Sequence, residues 1–160
     1  SGMWMVKIMN VLFIEDDKEK IQAIKNHMLE KYSKLNFYFE IRESVQSGLD
    51  ALISDKKYDL LLLDMALPNY NISNFEPDGG SPESFGGRDL LFQMKMRRKD
   101  IPSIVITQFE SFGDDNMTLN ELKNILSSNF SDIYLGTVYF SITSDEWKKD
   151  LDLELMKVIE

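Results

Sequence analysis

The apolar residues of this chain fall into five short runs, and a stretch of helical spacing follows each of them. The clearest run is Leu60-Leu61-Leu62-Leu63, entered through Tyr58-Asp59 and left through Asp64-Met65-Ala66-Leu67-Pro68. An unbroken apolar run suits a strand buried on both faces, as a central parallel strand is when helices cover both sides of its sheet. Val11-Leu12-Phe13-Ile14 reads as a first strand over roughly Met9 to Ile14, closed by Glu15-Asp16-Asp17. Phe37, Phe39 and Ile41 alternate with Tyr38 and Glu40, which predicts a second strand with one face more exposed. Ile101 to Thr107 predicts a fourth strand, with Pro102 in its first turn, where a missing N–H costs little. A fifth lies within Ile133 to Ile142, centred on Thr137 to Ser141.

Between these strands the period changes to that of a helix. Ile21, Ile24 and Met28 form one stripe; Val45, Leu49 and Leu52 a second; Leu90, Leu91 and Met94 a third. Thr118 with Glu121 has the spacing of a capping box ahead of Leu119, Leu122, Ile125 and Leu126. A last helix starts at Ser144 or Asp145 and carries Trp147, Leu151, Leu155 and Val158. Strand and helix alternate five times, so the expected fold is α/β, a parallel sheet with helices on both faces. Two segments break the alternation. Asn69 to Phe85, rich in Pro, Gly, Asn and Ser, reads as a long loop insertion closed by Gly86-Gly87, and Gln108 to Met117 as a second irregular loop.

Composition narrows the function. The chain has 160 residues, matching one domain over 3–160, with Ser1-Gly2 ahead of Met3 read as a tag remnant. It has no cysteine, which excludes disulfides and thiolate metal sites and points to the cytosol. A net charge of −9 argues against a nucleic-acid surface, and no apolar stretch is long enough for a membrane span. Lys95-Met96-Arg97-Arg98-Lys99 suits the solvated end of a helix. His27, the single histidine, reads as a surface residue of the first helix, and the nine methionines as core filler. Gly79-Gly80 and Gly86-Gly87 match neither phosphate-loop nor dinucleotide spacing.

The candidate chemistry sits where strands end. If the first and third strands are neighbours, Glu15, Asp16 and Asp64 meet at the carboxyl edge of the sheet, where ligands of open α/β sheets bind. Like charges about 4 Å apart repel by roughly 4 kcal/mol at an effective dielectric near 20, so the cluster raises a carboxylate pKa or takes up a cation. Only hard oxygen ligands are available, which favours Mg²⁺. Thr107 places a hydroxyl at the end of the fourth strand. The Asp64 carboxylate is also suited to nucleophilic attack on a phosphoryl group.

Several segments, in order, resemble a response-regulator receiver domain, the phosphoacceptor module of two-component signalling. They are Val11 through Asp17, Tyr58 through Pro68, Gly87-Arg88-Asp89-Leu90-Leu91, and Ile101 through Thr107. The resemblance implies a flavodoxin-like, doubly wound sheet of five parallel strands in the order 2-1-3-4-5. It also implies that Asp64 is the phosphoacceptor, with Mg²⁺ held by Glu15, Asp16, Asp64 and the backbone carbonyl of Ala66. Thr107 would be the switch hydroxyl. The implied partners are a sensor histidine kinase or phosphotransfer protein and an output protein, with no nucleic acid or membrane and with a homodimer possible through the fourth helix and fifth strand. Such a protein would be a stand-alone switch, not an enzyme, limited to its own phosphorylation and dephosphorylation.

The chain departs from the family at one charged position. Receivers carry a lysine at the end of strand five, and here Ser141, or in another register Thr137, occupies that place. Gln108 also replaces the small residue usual after the switch hydroxyl. The absent lysine motivates a second expectation, a pseudo-receiver that binds partners without phosphorylation. An aspartate-based phosphohydrolase is disfavoured, because the general-acid position two residues beyond Asp64 is Ala66, which cannot move a proton. Tyr70, Phe75 and Phe85 of the insertion suit either a partner surface or a cover over the site.

Overall fold

The structure, a computed structural model, describes residues 8–70, 82–83 and 85–159. The expected tag remnant Ser1-Gly2 and the insertion residues around Phe75 and Gly79-Gly80 lie outside them. Strand β1 (Ile8–Ile14) leads to α1 (Lys18–Lys31), β2 (Asn36–Arg42), α2 (Val45–Ile53) and β3 (Leu60–Leu63). The chain continues through α3 (Gly86–Met96), β4 (Ser103–Thr107), α4 (Leu119–Asn129), β5 (Tyr134–Tyr139) and α5 (Glu146–Leu155). All five strands run parallel in the order β2-β1-β3-β4-β5. The doubly wound fold expected from the alternation is therefore the one observed.

The run Leu60-Leu61-Leu62-Leu63 explains why the sheet needs two covers. All four leucines are inaccessible to solvent. Strand alternation sends Leu61 and Leu63 into a core shared with α2, α3 and α4, while Leu60 and Leu62 join a second core under α1 and α5. Each such side chain contributes roughly 1.5–3 kcal/mol by leaving water. The same alternation continues past the strand and turns Asp64 toward α1.

Capping residues fix where the helices begin. Asp17 accepts the backbone N–H groups of Glu19 and Lys20 at 3.0 and 3.2 Å and starts α1. Ser44 and Ser47 form a reciprocal capping box at α2, which the apolar spacing of that helix does not announce. Thr118 accepts the Glu121 N–H at 3.1 Å, as its spacing predicts. Ser144 accepts the Glu146 N–H at 3.1 Å at the head of α5.

Four expectations shift. Gly86-Gly87 form the first turn of α3 instead of closing the loop, and a Cβ on Gly87 would lie against the Asp64 carbonyl and 3.0 Å from Met65 Cα. Only glycine lets α3 begin so close to the end of β3. The two irregular loops carry short antiparallel ribbons, Leu67–Pro68 with Pro82–Glu83 and Ser111–Phe112 with Met117–Thr118. Strand β5 starts and ends earlier than expected: Tyr134 pairs with Ser103, a register shift puts Gly136 against Ile104, and Thr107, where β4 ends, pairs with Tyr139. His27 is mostly buried rather than superficial. Its ring contacts Trp147 edge-on at 5.5 Å, and Nε2 lies 2.8 Å from the Asp152 carboxylate.

Candidate functional site

The end of β1 turns sharply, and that turn is held by Glu15. Its Oε2 accepts the backbone N–H groups of Asp16 and Asp17, both at 3.1 Å, while the Glu15 N–H donates to the Arg42 carbonyl at 2.8 Å. Glu15 is fully buried, whereas Asp16 points to solvent. Asp64 lies at the end of the neighbouring strand, 1 % exposed, its N–H bonded to the Ile14 carbonyl at 3.1 Å. Its Oδ1 accepts the Met65 N–H at 2.7 Å. One carboxylate oxygen from each of Glu15, Asp16 and Asp64 lies within 4.8 Å of the others. The three acids predicted to meet do meet.

Electrostatics mark the cluster as one that wants positive charge. Burial, then the Asp64 charge, push the Glu15 carboxyl up to about 8 against the opposing pull of Lys20. Burial raises Asp64 as well, with Asp16 adding to the effect and Lys20 and the Met65 N–H opposing it. Three hard oxygen donors, one of them open to water, match what Mg²⁺ or a similar divalent cation requires.

A fourth charged residue completes the site, one that the sequence alone does not single out. Lys20, in the first turn of α1, is fully buried. Its Nζ pairs with Glu15 Oε1, lies 3.5 Å from Asp64 Oδ1, and donates to the Ile106 carbonyl at 2.7 Å and Gln108 Oε1 at 2.8 Å. Positions 20, 24 and 28 share one helix face, so Lys20 continues the buried stripe of Ile24 and Met28. A lysine on that stripe was the available signal.

The other predicted residues make no hydrogen bond to the Asp64 carboxylate. Thr107 is fully buried at the end of β4, where its Oγ1 accepts the Phe109 N–H at 3.2 Å, and no hydrogen bond joins it to Asp64. Ala66 is half-buried in the bend after Met65. Ser141 falls beyond β5, its hydroxyl 3.0 Å from that of Thr143. It lines a cleft of about 230 Å³ together with Asp17, Lys20, Gln108 and Tyr139. Thr137 is also apart from the site, paired through its hydroxyl with Tyr134 at 2.5 Å.

Solved structures identify the fold that carries this arrangement. The Mn²⁺-bound response regulator Rcp1 matches with a TM-score of 0.64 at 17% identity, over 94% of this chain and 95% of that one. The fold is that of a response-regulator receiver domain. A second receiver domain, from Francisella response regulator 1452, matches with a TM-score of 0.58 at 23% identity, over 93% and 98% of the two chains. Among curated proteins, the Detocs response regulatory protein DtcB of Enterobacter cloacae (strain JD6301) is 29% identical over 145 residues, 89% of this chain and 95% of its own length. No protein-family model matches the sequence. Within this receiver fold, Glu15, Asp16 and Asp64 occupy the carboxyl ends of β1 and β3, and no described helix is long and apolar enough to cross a membrane.

Proposed function

We propose that this receiver-like domain accepts a phosphoryl group on Asp64, with Mg²⁺ bound at Glu15, Asp16, Asp64 and the Ala66 carbonyl, and signals its state to a protein partner. The observation that carries the reading is the convergence of three carboxylates within 4.8 Å at the carboxyl edge of a receiver sheet. The metal-bound Rcp1 and the regulatory name of DtcB support a divalent ion and a signalling role.

The chain's own residues then do the following. The contacts described for Asp64 fall on Oδ1, which leaves Oδ2 as the oxygen suited to attack phosphorus. Glu15, pinned by two backbone N–H groups, keeps the acidic turn in place. Mg²⁺, when bound, offsets negative charge on the transferring phosphoryl group. A sensor kinase or phosphotransfer protein supplies the phosphoryl group in this reading, and the protein works as a cytoplasmic switch instead of turning over a substrate.

Acetyl phosphate with Mg²⁺ should add one phosphoryl mass to the wild type and none to Asp64→Asn, as read by intact-mass spectrometry. Absence of the adduct in the wild type would overturn the reading. A second reading, a phosphate-independent interaction module, is favoured by one observation: no lysine ends β5, and Ser141 falls past that strand. It predicts no adduct and unchanged amide spectra under the same treatment.

A further inference from the structure

We propose that Lys20 is the phosphoryl-binding cation of this site, and that its surrender of Gln108 carries the state of Asp64 into the segment after β4. This inference rests on the phosphoacceptor reading of Asp64. Its basis is a count of donors. A lysine ammonium has three N–H groups. The Ile106 carbonyl and Gln108 Oε1 accept hydrogen bonds from two of them, while Glu15 Oε1 and, at 3.5 Å, Asp64 Oδ1 are held by charge. Four oxygens therefore crowd an ammonium with three N–H groups, and a new anion beside Asp64 has to compete with them. One of its present partners must give way.

The partner most easily displaced is Gln108. A phosphoryl group brings about two negative charges and three strong acceptor oxygens, and hydrogen bonds to ionised acceptors are roughly twice as strong as neutral ones. Glu15 is fully buried against Lys20 and pinned by two backbone N–H groups, and the Ile106 carbonyl is fixed within β4. Gln108 offers a neutral amide on a half-buried side chain beyond the strand end. It also stands between Thr107, which is buried, and Phe109, whose N–H is held by the Thr107 hydroxyl. Freeing Gln108 therefore loosens this turn. The segment leads into the Ser111–Phe112 ribbon, where buried Phe112 stacks with Phe85 at the head of α3, ring centroids 6.5 Å apart.

The chemical step is balanced without further reactants. With acetyl phosphate, an Asp64 carboxylate oxygen forms the new O–P bond, the P–O bond to the acetyl group breaks, and acetate leaves with the electron pair. The product is an acyl phosphate whose oxygens take the N–H given up by Gln108.

The test uses the whole chain with Mg²⁺ and acetyl phosphate, followed by intact mass and by amide NMR. Lys20→Met should slow phosphorylation by about a hundredfold, the usual effect of removing one preorganised donor, and Lys20→Arg should restore part of the rate. Gln108→Leu, which frees that Lys20 N–H in advance, should phosphorylate faster than the wild type. Its unphosphorylated amides over 107–112 should already lie near the wild-type phosphorylated positions. A Lys20→Met protein that phosphorylates as fast as wild type would overturn the inference and leave Asp64 as acceptor. So would wild-type amides over 107–112 that stay still on phosphorylation. A wild type that takes no phosphoryl group removes the acceptor reading and this inference with it. If Lys20→Met does not fold, Lys20→Arg and Gln108→Leu decide the matter through the same two readouts.

Discussion

Lys20 is the residue on which this site turns, and its contribution to stability should be measurable apart from any phosphate chemistry. It is the buried positive charge beside two buried carboxylates, Glu15 and Asp64. Breaking a buried pair from one side leaves the other charge without compensation, at a cost of about 3–5 kcal/mol. Lys20→Met should lose that much in urea unfolding, and adding Glu15→Gln to it should regain part of the loss. A loss below about 1 kcal/mol would mean that the carboxylates do not depend on this ammonium. Asp64, Glu15 and Asp16 were legible in the sequence because an apolar run that ends in an acid marks a strand end. Lys20 was not. Its helix face could be counted from Ile24 and Met28, but lysine on a helix is ordinarily taken as solvated, and only the packed sheet shows what it faces.

At the scale of elements, the strands and helices follow their periods, and the differences come from pairings that a period does not contain. Strand β5 runs from Tyr134 to Tyr139 because its neighbour β4 spans Ser103 to Thr107, which pair with those two residues, and Ser141 is thereby left past the strand. The edge strand β2 is tied to the connection before β3 by a polar cluster that alternation alone did not announce. Glu40 accepts from Lys56 Nζ at 2.5 Å, from the Tyr58 hydroxyl and from Arg42. Partial burial pushes its carboxyl up, but these three donors outweigh it and bring the pKa down to about 2. The folded value lies below the unfolded one of about 4.3. The contribution to stability is therefore complete above that unfolded value and lost as pH falls toward 2. Glu40→Gln should cost about 1 kcal/mol at pH 7, with wild type and variant converging in acid. A gap that stayed constant down to about pH 2 would show that Glu40 acts by packing instead of charge.

The chain carries a net charge of −9, and among the described residues three acids gather at the edge where β1 and β3 end. Repulsion there opposes folding, and Lys20 relieves only part of it: three carboxylates face one ammonium. A divalent cation bound to the folded chain stabilises it by mass action, by about 2.7 kcal/mol at a hundredfold excess over Kd. For a domain of this size that corresponds to a rise in Tm of roughly 5–10 °C. Asp16 is the proposed ligand to remove, because it is exposed and makes no part of the core, so Asp16→Asn should fold as wild type does. Thermal scans with and without Mg²⁺ should then show the rise in the wild type and its loss in Asp16→Asn. NaCl at equal ionic strength separates site binding from general screening, which relieves the charge of −9 in both proteins alike. An equal Mg²⁺ response in the two proteins would place the cation elsewhere on the acidic surface and detach the metal from Asp64.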